Sequence, residues 1–345
     1  MIYKARYRTG SDSEYQTLEA HLGETAMLAE LFGKKVGLGK SARLIGMVHD
    51  QGKFSKIWQA YLEDRHRNGK RDGKEDHGAA GGQFLYKIIT RESNNSKELV
   101  GQILAACVMY HHGPGLPDVI KPDGTAKLYE RLEKKEEETH AEEAEANLDP
   151  SIREKIDEIL SDDNFISGTV ARLGELTMTK IKEARFFNLG LTARFLSSCL
   201  IDADRRSSAL FDRNIPVNRE DAAPKIDWGL LRRRLEDHLA GLSTEGKLNE
   251  IRRMVSDRCA GYADREDDFY TLTAATGAGK TLASLRYALV HAERCGKDHV
   301  FIIAPYTSIL DQNAEVIRHI LDPYGENGRI VLEHHSNLDQ SERTE

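Results

Sequence analysis

The chain has 345 residues, 39% of them hydrophobic and 30% charged, with a net charge of −7. That length suits two domains, at roughly 100–200 residues each, and the composition excludes a disordered chain. The acidic balance excludes a passive, histone-like nucleic-acid binder, but not an enzyme that holds nucleic acid in one local groove.

The N-terminus, MIYKARYRTG, has no apolar signal core. No apolar run approaches the ~18 residues needed to span a bilayer, so no membrane contact is expected. Cys107, Cys199, Cys259 and Cys295 are widely spaced and form no CxxC pair. A reducing, cytoplasmic setting is expected.

From about residue 17 to 115 the pattern is helical. TLEAHLGETAMLAELFGKKV places Leu18, Leu22, Leu28, Leu31 and Phe32 close to helical spacing. SARLIGMVHD, FSKIWQAYLED, GAAGGQFLYKIIT and ELVGQILAACVMYHH read as four further helices. Gly113-Pro114-Gly115 stops the last of them. YERLEKKEEETHAEEAEA is dense in charge of both signs and reads as a solvated helical face or a mobile insertion. ARFFNLGLTARFLSSCLIDADRRSSALF reads as a long buried helix closing the bundle.

Arg213 to Asp227 carries Pro216, Pro224 and mixed charge, and reads as a linker. A charged helix, LLRRRLEDHLAGL, follows. The periodicity then changes: FYTLTAA, HVFIIAP and RIVLEHH are strand candidates, separated by the helices LASLRYALVHAERC and SILDQNAEVIRHIL. This β-α-β-α-β order predicts a parallel sheet. The expected architecture is an all-α helical bundle over residues 1–225, followed by a partial α/β P-loop lobe over 226–345.

Five sites in the first region suggest metal chemistry: His21, His49-Asp50, His77, His111-His112, and Asp202 or Asp204 in IDAD. Imidazole and carboxylate suit manganese, iron, cobalt or nickel. Two such ions can clamp the attacking and leaving oxygens of a phosphodiester and acidify a water. Taken singly, each residue has a plainer reading. A lone histidine is more often a satisfied partner than a ligand, and an HD dipeptide occurs by accident. The ordered set on helices of one bundle is what points to a site. Asp202 and Asp204 cannot share a helical face, so at most one reaches it.

HDQGKFSKIWQAYL resembles the HDxGK signature of the HD superfamily of metal phosphohydrolases. The order H…HD…H…HH…D, over roughly residues 15–212, resembles the HD nuclease domain of the CRISPR-associated nuclease-helicase of type I systems. The resemblance implies one metal on His21, His49, Asp50 and the late aspartate. It implies a second on Asp50, His77, His111 and His112, with Asp50 bridging. The family's Ala-Asp pair favours Asp204, preceded by Ala203, over Asp202. Lys53 matches the signature lysine beside the metals and is, with Asp50, the candidate catalytic residue; its plainer reading is a surface lysine.

In TAATGAGKT, Thr273 to Thr281, small residues let backbone N–H groups wrap phosphate oxygens. Thr276, Gly277, Ala278, Gly279, Lys280 and Thr281 form the candidate nucleotide site. Lys280 would reach the β- and γ-phosphates, and Thr281 would bind magnesium. Ala274 stands where the strict P-loop pattern has glycine, and the form AxTGxGKT resembles motif I of superfamily 2 helicases. FIIAPYTSILDQNAEVI resembles motif Ia, and HHSNL, His334 to Leu338, resembles the same family's first helicase domain. His334-His335 is therefore not read as a metal pair. No DExD or DExH box follows the loop, and Asp157-Glu158 lies in the wrong region. The sequence reaches Glu345 partway through such a lobe, so ATP hydrolysis and unwinding by this polypeptide are expected to be weak.

The resemblance implies a metal-dependent nuclease acting on single-stranded DNA, recruited by an RNA-guided surveillance complex. Two alternatives stand beside it. One is an HD phosphohydrolase for nucleotides or cyclic dinucleotides; the other is an inactive fragment. Arg205-Arg206, Arg232 to Arg234 and Arg252-Arg253 could face phosphates, or be solvated helix faces.

Overall fold

The computed structural model describes residues 2–335 except 12, 70–75, 93, 114, 118–122, 219–225, 266–268 and 326–329. The chain divides into two compact units, Met1–Asp221 and Ala222–Glu345. The first opens on an antiparallel pair, β1 (Lys4–Tyr7) and β2 (Tyr15–Thr17). The helices α1 (Leu18–Lys34), α2 (Gly39–Val48), α3 (Lys56–Asn68), α4 (His77–Ile89) and α5 (Asn95–Met109) follow, with a 3₁₀ turn, Gln51–Phe54, between α2 and α3. Three short helices come next: α6 (Lys127–Leu132), α7 (Glu136–Thr139) and α8 (Ala141–Ala146). Then come α9 (Pro150–Leu160), α10 (Asn164–Leu176) and the 31-residue α11 (Lys182–Asp212).

Local chemistry sets the helix starts. The side chains of Thr17, Ser55, Asp76, Asn94 and Asp149 each accept from a backbone N–H in the first turn of α1, α3, α4, α5 and α9. The apolar faces then meet in one core. Leu18, Leu22, Leu28, Leu44, Ile45, Leu85, Leu104, Ile152, Ile156 and Leu200 are fully buried there.

The charged segment is not simply a solvated face. α6, α7 and α8 bury Leu128, Thr139 and Ala144. Gln83 on α4 donates to the carbonyls of Leu132 and Lys134 at 3.0 and 2.7 Å, and Arg131 and Lys134 both pair with Asp76. Three buried side chains, one amide and the Asp76 ion pairs hold it down, which a charge count does not reveal.

The reading of α11 as buried throughout also needs correction. Leu196, Cys199, Leu200, Ala203 and Ser207 are buried, whereas Phe186, Phe187 and Leu191 are exposed. At 1.5 Å per residue the helix is about 46 Å long, and its buried residues begin only at Leu196.

The second unit contains α12 (Trp228–Ala240), α13 (Lys247–Gly261), α14 (Lys280–Cys295) and α15 (Thr307–Leu321). Leu231, Leu235, Leu285, Leu289, Ile317, Ile320 and Leu321 form its core. Arg286 on α14 ties Glu236 and Asp257 together. The helices read from the sequence are present, but the expected parallel sheet is not formed among the described residues. The segments around Phe269, Phe301 and Leu332 carry no ladder hydrogen bonds there. Phe269 and Ile303 stand 92% exposed, whereas Ile330 and Val331 pack against the core of the second unit. Strands of a parallel sheet are stable only when paired and covered on both faces, and these segments have neither.

Candidate metal centre

Six elements bring the sequence-predicted residues together. His21 lies one turn into α1, His49 ends α2, and Asp50 opens the 3₁₀ turn that contains Lys53. His77 is the first residue of α4, His111 and His112 follow α5, and Asp204 lies on α11. His21, His49, Asp50 and His111 are buried.

The carboxylate of Asp50 is shared between two groups. Its Oδ2 lies 3.4 Å from Nε2 of both His21 and His49 and 2.6 Å from Nζ of Lys53. Its Oδ1 lies 3.2 Å from His77 Nε2 and 3.6 Å from His111 Nε2. Asp204 Oδ1 closes the first group, 3.2 Å from His21 Nε2 and 3.8 Å from His49 Nε2. His112 Nε2 closes the second, 3.0 Å from His77 Nε2. Asp202 is exposed, away from this cluster.

The outward ring nitrogens are held. His49 Nδ1 donates to the Gly46 carbonyl at 2.9 Å and His111 Nδ1 to the Val108 carbonyl at 2.6 Å. A carbonyl can only accept, so both rings carry a proton on Nδ1 and turn Nε2, the atom a metal would take, inward. His49 Nε2, His111 Nε2 and Asp50 Oδ1 are buried without an aligned hydrogen-bond partner. Inward Nε2 atoms beside an orphaned carboxylate oxygen suit a divalent cation, which can take a proton's place there, so the residues present fit a metal.

The local field is uneven. Burial opposes charge on Asp50, but Lys53 and His49 hold its carboxyl well below the usual range. Burial lowers His49, yet Asp50 and Asp204 outweigh it and raise its imidazole to about 10. Burial likewise opposes the charge of Asp204, and hydrogen bonds from His21 and His49 reverse that, lowering it far below a normal carboxyl. His77 is lowered, chiefly by burial. Burial and the neighbouring His111 push His112 down to about 3. His77 and His112 are thus neutral near pH 7, as metal ligands must be.

In the second unit the glycine loop precedes α14. Gly277 and Gly279 take φ of +81° and +78°, a region where side chains are strained. Lys280 begins the helix and donates to the carbonyls of Ala274 and Ala275 at 2.9 and 3.2 Å. Arg252 donates to the Gly277 carbonyl at 2.9 Å. Thr276 and Thr281 are exposed and Ala278 is buried. A further group, Asp311, Glu333 and His335, has ligand-type atoms within 4.8 Å of one another, but Arg318 already pairs with Glu333. His334 is exposed and His335 partly buried, while 336–338 of HHSNL lie outside the described residues.

Residues 6–165 match the sequence model described as Cas3, HD domain, and residues 252–344 match that of the DEAD/DEAH box helicases. The first segment is thus similar to a Cas3 HD domain and the second to a DEAD/DEAH box helicase. Among solved structures it is similar to the crystal structure of T. fusca Cas3–ADP. The two share 17% identity with a TM-score of 0.34, over 93% of this chain and 38% of that one. The chain therefore spans 38% of the length of that structure. No curated protein matches it. The HD domain implies divalent-metal binding and the helicase domain ATP with magnesium. No helix among the described residues is long and apolar enough to cross a membrane.

Sequence reasoning missed three polar residues beside this centre: Gln16, Glu24 and Ser207. Ser207 Oγ lies 3.2 Å from His21 Nδ1. The signal was available in the spacing. Glu24 is three residues past His21, and Ser207 three past Asp204, each on the same face of its helix.

Asp204→Ala is expected to weaken metal binding by at least about 100-fold at one of two sites, on the scale of losing a well-placed ligand or its partner. Asp202→Ala, on the exposed face, should leave both sites intact. Stepwise metal titration of the two variants decides this, and the reverse result would move the ligand to Asp202.

Proposed function

We propose that this chain is the HD nuclease part of a CRISPR nuclease-helicase, cutting single-stranded DNA at a two-metal centre. His21, His49, Asp50 and Asp204 would hold one ion, and Asp50, His77, His111 and His112 the other. The observation that carries the reading is the divided carboxylate of Asp50, with Oδ2 turned to one histidine set and Oδ1 to the other. Manganese, iron, cobalt or nickel suits such imidazole-rich ligation better than magnesium. Bound there, two cations supply Lewis-acid polarisation of the phosphodiester and lower the pKa of a water.

The protein's own groups prepare the site. Lys53 supplies a cation beside Asp50 at 2.6 Å, a place to meet phosphate charge or to steady the bridging carboxylate. Carbonyls at Gly46 and Val108 fix two rings in the ligating orientation. Burial of His21, His49, Asp50 and His111 excludes bulk water and strengthens electrostatics at the reacting phosphate.

The second unit binds ATP with magnesium through Thr276 to Thr281 in this reading. It rests on the two positive-φ glycines and on Lys280 at a helix start. An RNA-guided surveillance complex delivers the substrate, and the setting is cytoplasmic. Lys280→Ala, in a chain that includes the full helicase, is expected to weaken nucleotide binding at least about 10-fold, the scale of one lost charge-assisted contact at ~1.5–3 kcal/mol. Fluorescent-nucleotide titration measures it, and unchanged affinity would remove the nucleotide site.

The deciding experiment is cleavage of circular single-stranded DNA with manganese, nickel or magnesium, beside Asp50→Ala. Cutting that needs a transition metal and is lost in the variant supports the nuclease. Two bound metals without cutting of any nucleic acid, together with release of phosphate from nucleotides, would transfer the reading to a small-substrate phosphohydrolase. No bound metal and no cutting would leave a binding fragment.

A further inference from the structure

His21 differs from the other inward-facing histidines in how its outer nitrogen is held. His49 and His111 each meet a backbone carbonyl, which fixes their tautomer outright. The Nδ1 of His21 instead meets the hydroxyl of Ser207 at 3.2 Å. A hydroxyl can donate or accept, so this contact alone leaves the proton of His21 undecided. If Ser207 donated to Nδ1, the neutral ring would carry its proton on Nε2, the atom that faces Asp50 and Asp204. That tautomer cannot ligate through Nε2.

The next residue out decides the direction. Ser207 Oγ lies 2.8 Å from Glu24 Oε2, and an ionised carboxylate only accepts. The Ser207 hydroxyl must therefore spend its single proton on Glu24. Gln16 reinforces this: its Nε2 donates to Glu24 Oε2 at 2.7 Å and to Ser207 Oγ at 3.2 Å. With one proton given to Glu24 and one lone pair taken by Gln16, Ser207 has one lone pair left, and it faces His21 Nδ1. Gln16, His21 and Ser207 are all buried, Ser207 completely, so water does not compete freely for these bonds. Two interlocked helix faces build the arrangement: His21 and Glu24 on α1, Asp204 and Ser207 on α11.

We infer that Glu24, acting through Ser207, is a positioning residue that biases His21 toward the Nδ1–H tautomer, against the pull of Asp50 and Asp204 on an Nε2 proton, and so favours presenting its Nε2 lone pair to the metal site. This rests on the reading of His21 as a metal ligand. It concerns the two residues behind that ligand, which touch neither metal nor substrate.

The test uses the full chain with ¹⁵N-labelled histidine, in Glu24→Gln, Ser207→Ala and Ser207→Thr variants. In metal-free wild type at alkaline pH, long-range ¹H–¹⁵N correlation is expected to show a measurable share of the Nδ1–H tautomer of His21, although Asp50 and Asp204 favour the Nε2–H form from the other side; the His21→Gln spectrum assigns the signal. Glu24→Gln and Ser207→Ala are expected to shift His21 toward Nε2–H. They should also weaken one of the two metal-binding steps about 10–100-fold, the scale of an outer-sphere partner, and leave the other step unchanged. Ser207→Thr, which keeps the hydroxyl, should restore both readouts. An unchanged His21 signal in Glu24→Gln and Ser207→Ala would overturn the proposal. So would equal weakening of both steps accompanied by a lower melting temperature, which would mark a purely structural role. If wild type binds no metal, the ligand reading fails, and the tautomer measurement still decides the relay.

Discussion

Asp50→Ala is expected to remove both metal ions at once and to abolish metal-dependent cleavage. One carboxylate faces two sets of imidazoles, so its loss strips a ligand from each site. Loss of a mere outer-sphere partner costs about 10–100-fold, so losing the shared ligand should cost cleavage at least about 100-fold. Metal analysis should fall from two ions per chain toward none, where Asp204→Ala leaves one. Asp50→Asn keeps the shape but not the charge, and should resemble alanine in metal content. A variant that retained two ions and full cleavage would refute the bridging role.

The same substitution changes the pH dependence of stability in the metal-free protein. His49 is raised to about 10, against burial, by Asp50 and Asp204. A raised folded-state pKa stabilises the fold fully below the unfolded value, about 6.5, and this contribution is lost as pH rises toward 10. Wild-type apoprotein should therefore lose stability across that window, and Asp50→Ala should lose less. Chemical denaturation at the two ends measures the difference. Because the metal competes with the proton on His49, metal affinity should rise with pH over the same range.

The parts of the fold that the sequence reveals are those carried by short-range pattern. Apolar spacing marks α1, α2, α4 and α5, and turn chemistry at Ser55 and Asp76 fixes where helices begin. The HD set is legible because each residue has a distinctive chemistry and lies on or beside an apolar helix. What escapes has weak or non-local causes. The β1–β2 pair is only four and three residues long, too short for alternation to stand out. α13 is mostly exposed, so it lacks an apolar stripe to announce it. The strand candidates in the second unit are apolar enough, but pairing depends on neighbours far along the chain. Gln16, Glu24 and Ser207 are common polar residues whose meaning appears only when β2, α1 and α11 come together. Asp204 and Asp202 show the boundary well: helical geometry says only one can face inward, and α11's packing against α1 determines which does.

Gly52→Ala is expected to damage the centre as severely as loss of a ligand, although Gly52 carries no side chain. A Cβ at this position would stand 2.4 Å from the carbonyl oxygen of His77 and 2.6 Å from its Cα. Both are backbone atoms at the start of α4, so no side-chain rotation can relieve the clash. The 3₁₀ turn bearing Asp50 and Lys53 packs directly on the residue that supplies His77, and glycine is what permits that approach. This gives a physical reason for the glycine in HDQGK. Separating the two backbones by even 1 Å carries His77 Nε2 away from Asp50 Oδ1, now 3.2 Å distant. Overpacking of this kind costs about 1–3 kcal/mol of stability, occasionally more. Two measurements separate this effect from general unfolding. Stepwise metal titration should show the step assigned to His77, His111 and His112 weakened by at least about 10-fold, on the scale of a displaced ligand shell, with the His21 step less affected. Thermal denaturation should show a lower but still cooperative transition. A variant with wild-type melting and both metal steps intact would mean that α4 can move aside freely, and that the close packing of Gly52 on His77 does not hold the two halves of the site in register.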